Sequence, residues 1–263
     1  MSDFDWDDLT PLPVPRPARR SYLDLLTSRA SGHPAPGALT ITAEVLLTLA
    51  ALVGLYGIWQ FWWTDRVADA QQAAAVAALP WADPQVVTAD PLPPETVPTD
   101  PDAAQFEVAT TIGVIRVPRF GDDYVRPISE GVDKKTILDT LGIGHWPGSA
   151  APGQIGNYVL VGHRTTYGKP FFQIADLVPG DDVIISTPTA TYTYKITGSE
   201  VIRPNQVEVT EPVPHEPGVA PTKQMITMIA CHPLYSAKQR YVAYGELHSW
   251  APKVSSTTAE SDA

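Results

Sequence analysis

Cysteine is the scarcest reactive residue in this 263-residue chain, because Cys231 is the only one. A single thiol excludes an intramolecular disulfide framework and a CxxC metal or redox pair, so packing has to stabilise the fold. Clusters of basic residues are also lacking, and the formal net charge is -11. A protein that binds a nucleic-acid backbone needs clustered Lys and Arg, so the sequence excludes nucleic acid as a partner.

Several familiar catalytic signatures are missing as well. The sequence has no GxSxG, HExxH or EF-hand pattern, and no internal repeat is visible. The stretch "GIGHWPG" at 142–148 follows a helical pattern and has the wrong glycine spacing for a nucleotide-binding loop. Any chemistry is therefore expected from single residues that the fold brings together.

A long uncharged apolar run is the first feature that is present, at residues 45–63. At ~1.5 Å rise per residue it would form a helix roughly 28 Å long, close to the ~30 Å hydrocarbon core of a bilayer. Trp59, Trp62 and Trp63 at one end suit the membrane interface. The run predicts a permanent transmembrane anchor, because it begins too far from the N-terminus for a typical cleaved signal peptide.

Basic residues flank this run unequally. Four arginines precede it and one follows it before residue 116: Arg16, Arg19, Arg20 and Arg29 on the first side, and Arg66 on the second. Positively charged flanks tend to stay in the cytoplasm. The sequence therefore predicts a single-pass protein of the cell membrane, with a cytoplasmic N-terminus and an extracellular domain.

Composition divides the chain into five predicted segments. The Pro-rich ends and linkers cannot bury much apolar surface, whereas the central region can form a core. The segments are a disordered cytoplasmic tail (1–38), the transmembrane helix (39–64), an Ala/Pro-rich stalk (65–105), one folded domain (106–250) and a flexible tail (251–263).

The folded domain contains short β-rich runs separated by turn signals. Seven strands are predicted, at 111–117, 157–163, 182–187, 191–197, 200–204, 225–230 and 240–247. Short helices are predicted at 134–142 and 170–177. Such a pattern indicates a mainly β barrel or sandwich.

Cys231 is predicted to lie at the end of a strand, because His232-Pro233 should terminate the pairing of 225–230. If this strand forms an antiparallel hairpin with 240–247, Arg240 comes opposite the cysteine. A guanidinium in that position favours a thiolate or holds a developing oxyanion.

A thiol nucleophile also needs a partner for proton transfer, and five histidines follow the apolar run: His145, His163, His215, His232 and His248. His163 is the best placed, because it ends an apolar strand and precedes a loop that contains Gly and Thr. His232 would point to the opposite face from Cys231 in an extended segment. Composition alone leaves an inert, buried cysteine open as the alternative.

At these residues the chain resembles the sortases, thiol transpeptidases that join proteins to the Gram-positive cell envelope. Three stretches carry the resemblance, "LVGHRTTYGKPF" with His163, "MITMIACHP" with Cys231 and "QRYVAYGEL" with Arg240. The resemblance covers about 106–250, and the "CHP…SAKQRYV" form is most similar to the class E sortases of actinobacteria. Ala230 departs from the family, which commonly has Thr or Ser before the cysteine.

The resemblance implies a fold and a set of roles. The fold would be an eight-stranded sortase-like β-barrel, so one further strand is expected near 123–128. Cys231 would be the nucleophile, His163 the general acid and base, and Arg240 the group that stabilises the oxyanion and orients the substrate. Neither a metal nor a cofactor is implied, and the substrate-binding residues stay unassigned. We hypothesise that the Pro-rich segment 203–223 forms a wall of the substrate groove.

The implied reaction is cleavage of a C-terminal LAxTG/LPxTG-like sorting signal between Thr and Gly, through a thioacyl intermediate. The implied partners are secreted proteins that bear this signal and a peptidoglycan precursor whose amine accepts them. Two alternatives stay open: a pilin-polymerising sortase and a catalytically silent, sortase-like binding domain. A papain-like peptidase is disfavoured because it places Cys before His, and an L,D-transpeptidase because its Ser-His-Gly-Cys-like run is absent.

Overall fold

The computed structural model describes residues 37–82, 90–100 and 105–253. The backbone divides into two units, residues 1–54 and residues 55–263. The tails predicted at 1–38 and 251–263 lie largely outside the described residues, as do the four arginines that precede the apolar run.

The apolar run forms a helix, α1, at Ala38–Ile58. None of its residues is buried, and it is long and apolar enough to cross a membrane. A π-helical segment follows at Trp59–Trp63, and then a second helix, α2, at Thr64–Ala77. Helix α2 occupies the first part of the range that is predicted as a stalk.

Eight strands follow and close into a barrel in the order β1-β2-β3-β4-β7-β8-β6-β5. Neighbouring strands pair antiparallel, except that β2 pairs with β3 and β4 with β7 in parallel. The eight-stranded barrel expected from the sequence is therefore confirmed. The strands are β1 (Thr111–Arg116), β2 (Val125–Glu130), β3 (Ile143–His145), β4 (Gly156–Gly162), β5 (Asp182–Ser186), β6 (Ala190–Ile202), β7 (Gln224–His232) and β8 (Gln239–Pro252).

The predicted strands differ from the observed ones at two places. The runs 191–197 and 200–204 form one strand, β6, whose register shifts between Ile196 and Gly198. A shift of this kind breaks the alternation of side chains, so the pattern was that of two strands. Strand β2 lies where the additional strand was expected, whereas β3 falls inside "GIGHWPG" and was not predicted. Its three residues are too few to show a period.

Both predicted helices are shorter than expected. The first is a π-helical segment at Lys134–Leu138, capped by Asp133, whose side chain accepts from the backbone of Lys135 and Thr136. Hydrogen bonds from Thr136 hold the pKa of the Asp133 carboxyl below its usual value. In 170–177 only Ile174–Asp176 is helical, as a 3-10 turn. Residues 170–173 form turns instead, which the restricted φ of Pro170 favours.

The barrel buries apolar side chains on two faces. Alternate residues of β4 and β7 point into the interior, including Tyr158, Leu160, Ile226 and Met228. A separate group, formed by β4, β6, β7, β8 and the turn after β6, lies on the outer side of the barrel and is called here the outer cluster: Val159, Ile202, Val209, Ile229 and Val242, with Trp146, Val161 and Tyr244 packed against it. These five residues are buried, so the outer cluster is a second, smaller core on the outer side of the barrel.

Candidate active site

Cys231 and Arg240 lie opposite each other on adjacent strands. Strands β7 and β8 pair antiparallel, and Cys231 is in register with Arg240. The hairpin predicted from the sequence is therefore present. The thiol of Cys231 is free and partly exposed, so it is accessible to a substrate.

His163 follows directly after β4, the strand that pairs with β7 on the side away from β8. Strands β4 and β7 pair in parallel, and their last pair is Val161 with Ile229. Two further residues along each chain lead to His163 and Cys231, on backbones ~4.8 Å apart where the strands remain paired. The structure thus brings the three residues selected from the sequence to one end of three adjacent strands.

Side-chain alternation places this group on the outside of the barrel. Ala230 belongs to the interior core and Ile229 to the outer cluster, so Cys231 shares the outer face with Ile229. By the same alternation, Arg240 shares the outer face of β8 with Val242, two residues away. The group therefore adjoins the outer cluster.

The imidazole of His163 is held by an aspartate that the sequence analysis missed. Its Nε2 lies 2.6 Å from Oδ1 of Asp139, and both side chains are 15% exposed. The ring of Tyr167 lies 5.2 Å from the imidazole. The carboxylate therefore fixes the orientation of the imidazole through Nε2.

Arg164 is a second missed residue, and it holds the end of β7. Its side chain is 6% exposed, and Nη1 donates to the carbonyl of Cys231 at 3.4 Å and to Nδ1 of His232 at 2.8 Å. The guanidinium lies 5.6 Å from the ring of Tyr241. Burial lowers the pKa of Arg164. The buried cation therefore fixes the backbone that carries the thiol.

Arg240 is held by the turn between β7 and β8. Its Nη1 donates to the carbonyls of Ala237 and Gln239, at 3.0 Å and 2.9 Å. Both bonds are solvent-exposed, and exposed bonds of this kind contribute little net free energy. The guanidinium is therefore only weakly held in this position.

The other histidines lie in different environments. His145 is buried in the barrel, with Nδ1 against Glu130 and Nε2 against Ser149. His215 contacts Glu200 and Tyr244, and His248 is exposed on β8. His163 is the histidine that follows β4, the strand paired with β7.

The segment 203–223 is fixed over the outer face of β4. The buried Asn157 donates from Nδ2 to the carbonyls of Val209 and Glu211, both at 3.0 Å. Its Oδ1 accepts from the hydroxyl of Thr227 at 2.7 Å. These bonds link the segment to two strands of the site.

Of the two missed residues, one carried a signal in the sequence and the other did not. Arg164 follows His163 directly, so its position next to a candidate histidine could have marked it. Asp139 is 24 residues away from His163 and lies just after the π-helical segment. Its contact depends on how that segment packs against the barrel, which no local pattern shows.

Comparison with known proteins identifies the same region. The family model "Sortase domain" matches residues 115–248, just over half of the chain. Sortase SrtE1 of Streptomyces coelicolor is 30% identical over 230 residues, which cover 83% of this chain and 60% of that relative. Sortase SrtE2 of the same organism is 28% identical over 228 residues, which cover 83% and 85%. The chain therefore spans about three-fifths of the length of the first relative.

Solved structures agree with this assignment. The SrtA sortase from Actinomyces oris is 33% identical with a TM-score of 0.54, and the match covers 60% of this chain and 92% of that one. A crystal structure of Sortase E1 from Streptomyces coelicolor, with a tripeptide in its active site, is 32% identical with a TM-score of 0.50, and covers 55% and 91%. With a closed eight-stranded barrel, a family match over half of its length and relatives named sortase E, the chain belongs to the sortase family of cysteine transpeptidases and is most like class E.

Proposed function

We propose that this chain is a membrane-anchored transpeptidase. It cleaves a C-terminal LAxTG/LPxTG-like signal between Thr and Gly and transfers the secreted protein to the amine of a peptidoglycan precursor. The observation that supports the proposal is the position of Cys231 opposite Arg240 on β7 and β8, with His163 at the end of β4, the other neighbour of β7. The tripeptide in the active site of the related Sortase E1 supports a peptide as substrate.

The first half-reaction forms the thioacyl enzyme. The thiolate of Cys231 bonds to the carbonyl carbon of the signal threonine, and the carbonyl electron pair moves to oxygen, where Arg240 stabilises it. As the oxyanion collapses, the bond between carbonyl carbon and nitrogen breaks. His163 gives its proton to the departing amine, so a neutral amine leaves.

The second half-reaction reverses these steps with a different amine. The amine of the precursor attacks the thioester carbon, and His163 accepts the proton that the amine loses. The carbon–sulfur bond then breaks and restores the Cys231 thiolate. His163 thus regains the proton it lost, and the cycle is balanced without a cofactor.

The anchor has a kinetic role in this proposal. Helix α1 is long enough to hold the enzyme at a membrane, and the arginines before it favour a cytoplasmic N-terminus. The catalytic barrel then lies on the outer side, where signal-bearing proteins and lipid-linked precursors meet. Confinement to one surface raises the effective concentration of all three partners.

The segment 203–223 acts as one wall of the groove for the signal. Its bonds to Asn157 keep it close to the outer cluster, and Val209 contributes an apolar side chain to that cluster. A wall fixed in this way would orient an extended peptide along β4 and β7. Because this side of the groove is already held in place, binding of the signal loses little conformational entropy in ordering it.

Loss of charge at Asp139 tests how His163 is held. Asp139→Asn keeps an oxygen in reach of Nε2 but removes the carboxylate, so it no longer stabilises the protonated imidazole. We expect kcat/KM to fall about tenfold, the effect of losing one charge-assisted hydrogen bond. Asp122→Asn, on an exposed loop, serves as the control. A wild-type kcat/KM in Asp139→Asn would contradict this role.

A mass measurement tests the function as a whole. The full chain, in lipid nanodiscs, is incubated with LAxTG and LPxTG peptides and analysed for adducts. We expect the peptide up to its threonine to be bound to Cys231, and to be released as an amide when an amine nucleophile is added. No adduct with either peptide, although iodoacetamide alkylates the thiol, would overturn the proposal. Binding without an adduct would identify a silent binding domain, and transfer only to a pilin lysine would identify a pilin polymerase.

A further inference from the structure

Helix α2 buries polar side chains against the barrel. Asp65, Ala68 and Gln72 are its buried residues, at a spacing that places them on one helix face. Gln72 is fully buried, whereas its neighbour Gln71 is exposed. Buried faces of helices are normally apolar, so the two polar residues of this face need an explanation.

Both polar residues bind the loop that follows His163. Gln72 donates from Nε2 to the carbonyl of Tyr167 at 3.1 Å. Asp65 accepts from the backbone N–H of Gly168 at 3.3 Å and pairs with Lys169 at 2.8 Å. Three consecutive residues of the loop are therefore bound to α2, and the first of them is Tyr167, whose ring lies against the imidazole of His163.

Gln72 also contacts the loop that follows Asp139. A Cβ atom placed on Gly142 would lie 2.7 Å from Cδ of Gln72, and one placed on Gly168 would lie 3.0 Å from its Nε2. Both glycines have positive φ angles, +95° and +77°. The amide of Gln72 thus fills a space between two loops, and this space exists because Gly142 and Gly168 have no side chain. The first loop follows Asp139 and the second follows His163.

Packing alone does not account for a glutamine at this position. Oε1 of Gln72 is buried and has no hydrogen-bond partner among the described residues. A buried acceptor without a partner costs free energy, so an apolar side chain of the same volume would stabilise the contact at least as well. The feature that such a side chain lacks is the hydrogen bond to Tyr167.

We infer that Gln72 is a positioning residue for the Asp139–His163 pair, and that α2 is a structural part of the active centre. This inference rests on the proposed function. Gln72 lies between the two loops and Asp65 secures the loop after His163, which together keep Nε2 of His163 in reach of Asp139. The unit needed for full activity therefore begins at Thr64 instead of residue 106, and the segment next to the anchor helps to set the rate of proton transfer.

The experiment compares two matched glutamines in the full chain in nanodiscs. Gln72→Met keeps the volume of the side chain but removes the amide. Gln72→Ala removes the side chain that fills the space between the two loops. Gln71→Met changes the exposed neighbour and is the control. Two readouts are measured: kcat and KM with an LAxTG peptide, and amide hydrogen exchange of 164–170. For Gln72→Met we expect kcat to fall about fivefold, KM to stay within about twofold and exchange to become faster, at an unchanged Tm. Gln71→Met should match the wild type, and Gln72→Ala should show the larger changes.

Wild-type kcat and exchange in Gln72→Met would overturn the inference. A lower Tm with unchanged kcat for each folded molecule would also overturn it, since that is the result of a purely structural role. If the wild type is inactive with every peptide, the proposed function fails, and exchange alone decides on Gln72. Faster exchange of 164–170 in Gln72→Met, but not in Gln71→Met, would then still support its role in holding the loop.

Discussion

Replacing Cys231 by alanine is expected to abolish both the thioacyl adduct and the transfer of peptide. The thiolate is the atom that forms the covalent bond, and removing such a nucleophile commonly lowers kcat by at least about 1,000-fold. The side chain is partly exposed on the outer face of β7, so the barrel should fold as before. The measurement is turnover of an LAxTG peptide in nanodiscs, with Tm and the mass of the protein recorded in parallel.

Cys231→Ser sharpens this test. Serine has nearly the same size but is far less ionised near neutral pH, so the variant should fold normally and show only trace acylation. Equal losses in both variants at an unchanged Tm would support sulfur as the nucleophile. Turnover that persists in Cys231→Ala would contradict it and leave the silent binding domain as the better interpretation.

Replacing His163 by glutamine is expected to have the second largest effect. Glutamine can still bond to Asp139 through its amide, but it cannot carry a proton to the leaving amine or take one from the incoming amine. We expect kcat to fall by about 100- to 10,000-fold, the usual contribution of general acid–base catalysis. Single-turnover acylation and the following aminolysis are measured separately, because His163 acts in both steps.

The exposed His248 provides the matched control for this prediction. His248→Gln should retain wild-type kcat, since that side chain lies on another part of β8. Partial recovery of the His163 variant by added imidazole would support a role in proton transfer. Equal losses in the two variants would show that the effect is not specific to His163 and would contradict its assignment.

The fold was predictable where the pattern is local. Strand β4 has alternating side chains that pack inside and outside the barrel, and its predicted range differs from the observed one by a single residue at each end. Strand β3 was not predictable, because three residues carry no period and its place depends on pairing with β2 and β4. The single strand β6 was divided into two because its register shift interrupts the alternation.

The site was predictable to a different extent for each residue. Arg240 could be placed opposite Cys231 because a short hairpin determines its own register. His163 was selected by its place at a strand end and by the resemblance to sortases, since the parallel pairing of β4 with β7 is a long-range contact. Asp139 and Gln72 were missed, because neither is near the other site residues in sequence.

By itself the sequence determined the apolar helix, the mainly β domain and the three residues at its strand ends. These follow from side-chain chemistry and from periods of two or 3.6 residues, which are properties of short segments. Only the tertiary structure decided that Asp139 meets His163 and that Gln72 lies between their loops. Such contacts depend on how the closed barrel and α2 pack together, and burial in that packing gives a polar side chain its partner.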